Sequence, residues 1–417
     1  MLTVFHTADW HLGQSFCGFD RDFEHSRFLD WLLEEMQSQN PNALIVAGDV
    51  FDTINPSAVA QKRLYNFLAN AHATLPNLQI VLTAGNHDAG ARLEAPAGLL
   101  DSLNISVIGT VRQDDAGNID PEKFLVPLKD DAGQVQAIAM AVPFLRPSDV
   151  PLVNNAADPY LDGVRELYRR TMVAAHELRA KRNPNAALIA LGHCHLHGGT
   201  ESRDSERCLV IGGAEAIGSD TFDPRIAYVA LGHLHKSQQF DGGRIRYSGS
   251  PIPLSFAEAD YRHQIMKLTF ENSELTFATE IIIPRAAMML RIPAKGAAKI
   301  DDVLIELAAV KVQDGLPLEQ HPFVEVQVIE DGPDPLRRRR IEQALEGKPL
   351  RLASIKLKSP ERVRAASDAA SEIPQTDLNS ILPEVVFLDA WREKYRSEPD
   401  HRVLLAFRSI LQQEARG

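Results

Sequence analysis

Five apolar runs in this chain each end on a residue type that binds metal, and that coincidence sharply narrows the folds open to it. LTVFHTAD leads into Asp9 and His11, NALIVAGD ends on Asp49, and LQIVLTAGNHD ends on Asn86, His87 and Asp88. NAALIALGH closes on His193, and IAYVALGHLH closes on His233 and His235. Short β-branched and aliphatic runs closed by glycine and a polar residue predict buried strands that deliver side chains to one rim of a sheet. In open α/β sheets that rim, at the carboxyl ends of the strands, is where ligands bind. Carboxylate, imidazole and amide groups converging from five strands exceed what one tetrahedral zinc needs. They suit two adjacent divalent cations with open positions.

The segments between the strands carry helical periodicity. Residues 20–39 place Phe23, Arg27, Phe28, Trp31, Leu32 and Met36 along one stripe. Residues 57–73, after Pro56, predict a helix with proline in its first turn, and 160–182 predict the longest helix before Asn183-Pro184 stops it. Strand–helix alternation of this kind predicts an α/β core with covering helices. The stretch 107–144 differs: VIGTV, FLVPL and QAIAMAVPF are broken by Asp- and Gly-containing turns, so antiparallel hairpins and a mixed sheet system are expected. More strands are expected at 243–247, 264–270 and 274–283.

After Pro284 the character changes. Strand-like runs at 287–293 and 323–329 and helix-like runs at 300–311 and 335–345 predict a small α+β module. Residues 365–375 are rich in Ala, Ser and polar side chains and read as a linker. The end, 383–413, carries two amphipathic helices around Ser397-Glu398-Pro399-Asp400. A length of 417 residues agrees with two or three domains.

The formal net charge of −12 excludes a global basic field, so any nucleic-acid binding would rest on local patches, bound cations or a partner. Cys17, Cys194 and Cys208 form no C-x-x-C pair, which predicts a reducing, cytoplasmic setting and argues against a thiolate zinc site; Cys194 reads as a bystander thiol. The first residues lack a positive n-region with an apolar stretch behind it, so no signal peptide is expected. No run approaches the ~18 apolar residues of a membrane span.

Asp9 and His11, two residues apart on an extended segment, share one face and can hold one cation. A second cation needs a ligand shared with the first, and the two oxygens of Asp49 suit that bridge. Asn86 offers a neutral amide oxygen, which adds no negative charge where an anionic phosphate must enter. His193 and His233 can complete one site, and His235 can reach the other. Mixed Asp, His and Asn ligands suit manganese, iron or zinc better than calcium. Each motif alone is common; the joint order carries the reading. Around it, His6 reads as a buried, hydrogen-bonded histidine. Asp52 is either a turn residue or a second contact to the site. Arg92 is either a phosphate contact or a solvated helix start, and the loop 249–253, with Ser250, is expected to form a wall of the substrate groove. The arginines 337–340 either meet DNA phosphates or line a solvated helix face.

DWH, GDVFD, GNHD, GH and GHLH in this order resemble the calcineurin-like metallophosphoesterases. TADWHLGQ, AGDVFDT and YSGSPIPLSFAEAD (247–260) are similar to the nuclease subunits of SbcCD-type complexes, bacterial relatives of the double-strand-break repair nucleases. The motifs span residues 1 to about 285, with a looser likeness beyond. The resemblance implies a four-layer sandwich of two mixed sheets flanked by helices over 1–284. It implies a small α+β capping domain that contacts DNA over 285–364, a linker over 365–382 and a helical partner-binding segment over 383–417.

The same resemblance implies Asp9, His11, Asp49 and His235 around one cation and Asp49, Asn86, His193 and His233 around the other, with manganese the expected metal. His87 would be a catalytic residue outside both ligand sets, and Asp88 would orient it, unless Asp88 simply caps the following turn. GHCHLHG adds His195 and His197 to the fourth motif; the position directly after the glycine selects His193, leaving the other two as loop or supporting residues. The implied activity is hydrolysis of DNA phosphodiester bonds: ATP-stimulated exonuclease action from 3′ ends of duplex and endonuclease action on single strands and hairpins, in repair, recombination and replication. The implied partners are a long coiled-coil ATPase of the SbcC type, DNA, and a second copy in a homodimer within a heterotetramer, with no membrane. A phosphatase or cyclic-nucleotide phosphodiesterase on the same core would not need the capping module or the terminal helices. A non-catalytic scaffold would not be expected to keep all seven ligand residues.

Overall fold

A computed structural model of the chain describes residues 1–113, 118–154, 156–202, 206, 216–313 and 315–359. The linker and terminal helices expected over 365–417, the last residues assigned to the capping domain, and Cys208 lie outside the described residues. The chain divides into two compact units, the first of them Met1–Val328 with Gly332–Leu357; the second is Ile329–Asp331 with Lys358–Gly417.

The first unit is built on two six-stranded sheets, both mixed. In one, Leu2–Thr7, Ala43–Ala47, Gln79–Thr83 and Ile105–Ile108 run parallel in that order, and Gln264–Glu271 and Glu274–Ile282 extend it antiparallel beyond Leu2–Thr7. In the other, Val135–Ala141, Ala187–His193, Tyr228–Gly232 and Ile245–Tyr247 are parallel, flanked by antiparallel edges Leu125–Lys129 and Gln238–Phe240. The hairpin expected from FLVPL and QAIAMAVPF is therefore present. The preceding run is not part of it. Ile105–Ile108 joins the other sheet in parallel, because the chain first crosses over through the short helices Gly90–Glu94 and Ala97–Leu100.

Alternation along the strands explains the layering. Ala43 and Ile45 point into the core shared with the second sheet, while Leu44 and Val46 face the helices Asp22–Gln39 and Ala58–Thr74. Those helices bury Phe28, Leu29, Leu32, Met36, Leu64 and Leu68, each worth about 1.5–3 kcal/mol on burial. On the outer side of the second sheet, Pro159–Arg182 buries Val164, Leu167, Tyr168 and Met172; Asp158 caps it by accepting from Tyr160 and Leu161 N–H. The result is a helix–sheet–sheet–helix sandwich. His6 bridges the sheets through Nδ1 to the Tyr228 hydroxyl at 2.9 Å, and burial pushes its imidazole down to about 3, so it stays neutral.

The small module is a three-stranded sheet, Met289–Ile292, Phe323–Ile329 and Arg351–Lys358, with helices Ile300–Ala309 and Arg337–Leu345 packed on it around Val303, Leu307, Val324, Val326 and Ile341. The strand Arg351–Lys358 was not anticipated. The module meets the sandwich at fully buried Phe323, whose ring lies edge-on to Phe16 and Phe19 of a two-residue-per-strand hairpin and 3.6 Å beneath the Arg351 guanidinium. No helix among the described residues is long and apolar enough to cross a membrane.

Candidate metal centre

Parallel pairing sets the strand ends side by side. Asp9 and His11 follow Leu2–Thr7, Asp49 follows Ala43–Ala47, and Asn86 and His87 follow Gln79–Thr83. From the second sheet, His193 ends its strand, and His233 and His235 follow Tyr228–Gly232. Asp9 (φ 55°), His11 (φ 47°), Asp49 (φ 49°) and His233 (φ 101°) all lie in the left-handed region, a strain of about 1–3 kcal/mol each that concentrates at functional sites. Backbone bonds hold these turns: Asp9 and His11 N–H donate to the Gly48 and Asp49 carbonyls at 3.0 Å, and His233 N–H donates to Asp9 Oδ1 at 2.8 Å.

The motif glycines make room for this convergence. A Cβ on Gly48, at φ +87°, would lie 2.2 Å from His193 Nδ1, and one on Gly85 would lie 2.1 Å from Asp49 Oδ1. Gly48→Ala is therefore expected to cost at least about 1–3 kcal/mol and to displace His193. A lower thermal midpoint with weakened metal binding is the expected readout; a variant matching the wild type in both would show that the loop re-forms freely.

Nitrogen and oxygen donors of Asp9, His11 and His235 lie within 4.8 Å of one another, as do those of Asp9, Asp49 and His193. Asp49 Oδ2 lies 3.3 Å from His193 Nε2 and 3.5 Å from His11 Nε2. Asn86 Oδ1 lies 3.0 Å from His193 Nε2 and 3.2 Å from His233 Nδ1. All seven residues are thus brought together, six of them buried. Asp9 Oδ2 and His11 Nε2 are buried with no hydrogen-bond partner, a costly state for groups that can ligate a cation and a sign that the donor set fits one.

Electrostatics point the same way. Burial opposes protonation of His193 and His235, yet Asp49 carries His193 up to about 9 and Glu258 carries His235 up to about 9. Burial pushes the Asp49 carboxyl up, but His193, then His11 and His87, outweigh it and hold it well below the usual range. The pocket carries a surplus of negative charge that divalent cations would neutralise.

Supporting bonds orient the rings. Ala47 O accepts from His193 Nδ1 at 3.0 Å, and Asp52 Oδ1 lies 3.2 Å from His11 Nδ1, so Asp52 acts on the site through His11. His87 donates Nδ1–H to the Asp52 carbonyl at 2.7 Å, and its N–H donates to Asp49 Oδ1 at 2.9 Å. Asp88 does not orient it. The Asp88 carboxylate accepts from Val50, Phe51 and Gly85 N–H at 2.9–3.1 Å, tying GDVFD to GNHD, and burial with the Asp49 charge pushes it up to about 7. Three backbone donors, all pointing at one carboxylate, leave it committed to the turn.

Ser250 is likewise not a groove wall. It is fully buried because its N–H donates to the His235 carbonyl at 3.0 Å, and its hydroxyl is spent on Glu258 at 3.2 Å. Arg92 stands exposed on Gly90–Glu94. His195 pairs with Glu201 at 3.0 Å and His197 is exposed, whereas His193 reaches Asp49 and Asn86. Burial pushes the Cys194 thiol up to about 12, away from thiolate chemistry. Of the arginines at 337–340, Arg338 pairs with Glu342 and Arg340 with Asp301. Glu258, buried beside His235, was missed; its only sequence signal is a carboxylate in the otherwise small and apolar run SPIPLSFAEA. A groove of about 590 Å³ opens beside His11, Asp52 and His87 and reaches Glu325, Ser354 and Lys356 of the small module.

Residues 2–237 match the calcineurin-like phosphoesterase family, and residues 285–395 match the type 5 capsule protein repressor C-terminal domain family. The SbcD subunit of nuclease SbcCD from Rhodobacter capsulatus is 40% identical over 391 residues, 94% of this chain and 94% of its own. The protein of the same name from Escherichia coli K12 is 35% identical over 291 residues, 68% of each chain. That from Bacillus subtilis is 33% identical over 287 residues, covering 68% of this chain and 70% of its own.

Proposed function

Because the chain belongs to the calcineurin-like phosphoesterases and, within them, to the SbcD nucleases, we propose that it hydrolyses DNA phosphodiester bonds with two divalent cations, manganese first among them. The chain is a metal-dependent nuclease subunit. The observation that carries the two-cation reading is the meeting of Asp9, His11 and His235 beside Asp9, Asp49 and His193, with Asn86 and His233 against the latter group. Asp9, His11, Asp49 and His235 would hold one cation, and Asp49, Asn86, His193 and His233 the other.

Bound cations would supply Lewis acidity toward the phosphate and a nucleophile competent near neutral pH. The chain's own residues do the rest. Asn86 adds a ligand without adding negative charge. His87 has Nδ1 engaged by a carbonyl, which assigns its transferable proton to Nε2, and its ring lines the groove beside His11. We assign it delivery of a proton to the leaving oxygen. The groove continues to Ser354 and Lys356, which gives the small module, read as a capping domain over 285–364, a surface for the strand being cut.

The relatives' names carry the partner: this chain acts with a coiled-coil ATPase of the SbcC type, docked through 383–417 beyond a linker at 365–382, as a homodimer within a heterotetramer in the cytoplasm. Such a partner would supply basic surface that a chain of net charge −12 lacks. The reading extends to 3′-end exonuclease action on duplex, stimulated by ATP, and to endonuclease action on single strands and hairpins, in repair, recombination and replication. The test is cleavage of hairpin and linear duplex DNA by purified protein with manganese, magnesium or zinc, with and without the ATPase. Metal-dependent cleavage is expected alone and ATP stimulation only with the partner. A protein that hydrolyses nucleotide monoesters but leaves both DNAs intact would overturn the assignment.

A further inference from the structure

Glu258 sits outside the expected ligand set yet is one of the most completely buried carboxylates in the chain. Its Oε1 lies 2.9 Å from His235 Nδ1, and its Oε2 accepts from Leu254 N–H at 2.9 Å and from the Ser250 hydroxyl at 3.2 Å. Both oxygens are therefore spent as acceptors, from a loop anchored to the next strand by His263 Nδ1 donating to the Ser250 carbonyl at 2.8 Å. An imidazole that donates Nδ1–H to a carboxylate presents Nε2 as a ligand and gains basicity from the charge behind it.

The two candidate sites differ in this respect. His235 is backed by Glu258 and His11 by the Asp52 carboxylate, whereas His193 is backed by the neutral Ala47 carbonyl. We infer that Glu258 is a positioning residue that tightens the cation site built on Asp9, His11 and His235, and leaves the site on Asn86, His193 and His233 unaffected. The inference rests on the two-cation reading above. A glutamine cannot replace Glu258, because an amide has one acceptor end. It must set its NH2 either against the Leu254 N–H and Ser250 hydroxyl or against His235 Nδ1. The second choice forces the imidazole into the tautomer whose Nε2 carries a proton and cannot ligate.

The experiment is titration of manganese into the metal-stripped full chain, followed by calorimetry and by the electron paramagnetic resonance of bound ion. The wild type is expected to show two binding events. Glu258→Gln should weaken one of them by about 10–100-fold, the usual effect of losing such a partner, and leave the other in place. Equal affinity at both sites in the variant, or equal weakening of both, would overturn the inference while sparing the two-cation reading. A wild-type chain binding fewer than two ions would remove that reading and the inference with it. Should Glu258→Gln fail to fold, Ser250→Ala, which removes one of the bonds steadying the carboxylate, is expected to weaken the same single event by a smaller factor. Unchanged binding in that variant would overturn the inference equally.

Discussion

Asp49→Ala should bind no cation tightly and should have lost cleavage altogether, the largest effect expected of any single substitution here. Asp49 is buried at the centre of the site. One oxygen accepts the His87 N–H at 2.9 Å, and the other lies within 3.5 Å of Nε2 atoms of both His11 and His193, which belong to different candidate sites. Losing an outer partner of a ligand costs about 10–100-fold in affinity, and losing a ligand shared by both cations should exceed that. Asp49→Asn, which keeps an acceptor for the His87 N–H, separates loss of binding from loss of fold. Metal analysis after gel filtration checks the result: two tightly held manganese ions per Asp49→Ala chain would sink the bridging assignment.

His87→Ala should behave in the opposite way, keeping its metal and its DNA while cleavage falls by about 10²–10⁴-fold, the scale of a lost general acid. The imidazole stands 4.8 Å from the His11 ring, close enough to act at the same phosphate, but its Nδ1 is engaged by the Asp52 carbonyl. Single-turnover cleavage measured beside metal content decides between roles. Full metal with slow chemistry supports proton delivery. Parallel loss of metal would make His87 a ligand, and near-normal cleavage would move the proton source elsewhere.

The fold class and the gathering of the seven ligand-type residues were legible in the chain because both rest on local rules. A buried parallel strand must be apolar along its length, and its side chains leave it at one end, so ALIVA followed by Gly48 and Asp49 announces both the strand and what it delivers. Glycine at Gly48 and Gly85 marks where Asp49 and His193 press against backbone. The helices Asp22–Gln39 and Pro159–Arg182 announced themselves by periodicity and by their stop signals.

What the chain could not announce depends on partners far away in sequence or on groups every residue possesses. Ile105–Ile108 has the alternation of either a hairpin or a parallel strand, and only its crossover decided its sheet. Glu258 and His235 are 23 residues apart, and nothing in either segment marks the other. The group that holds His87 is a backbone carbonyl 35 residues away, identical in kind to every other carbonyl in the chain, while the carboxylate beside it, Asp88, is consumed by three N–H groups. Ligand identity follows from side-chain chemistry and local pattern, so the sequence alone determined it. Ligand orientation follows from which donors and acceptors the packed sheets bring within hydrogen-bonding distance, and only the tertiary structure decided that.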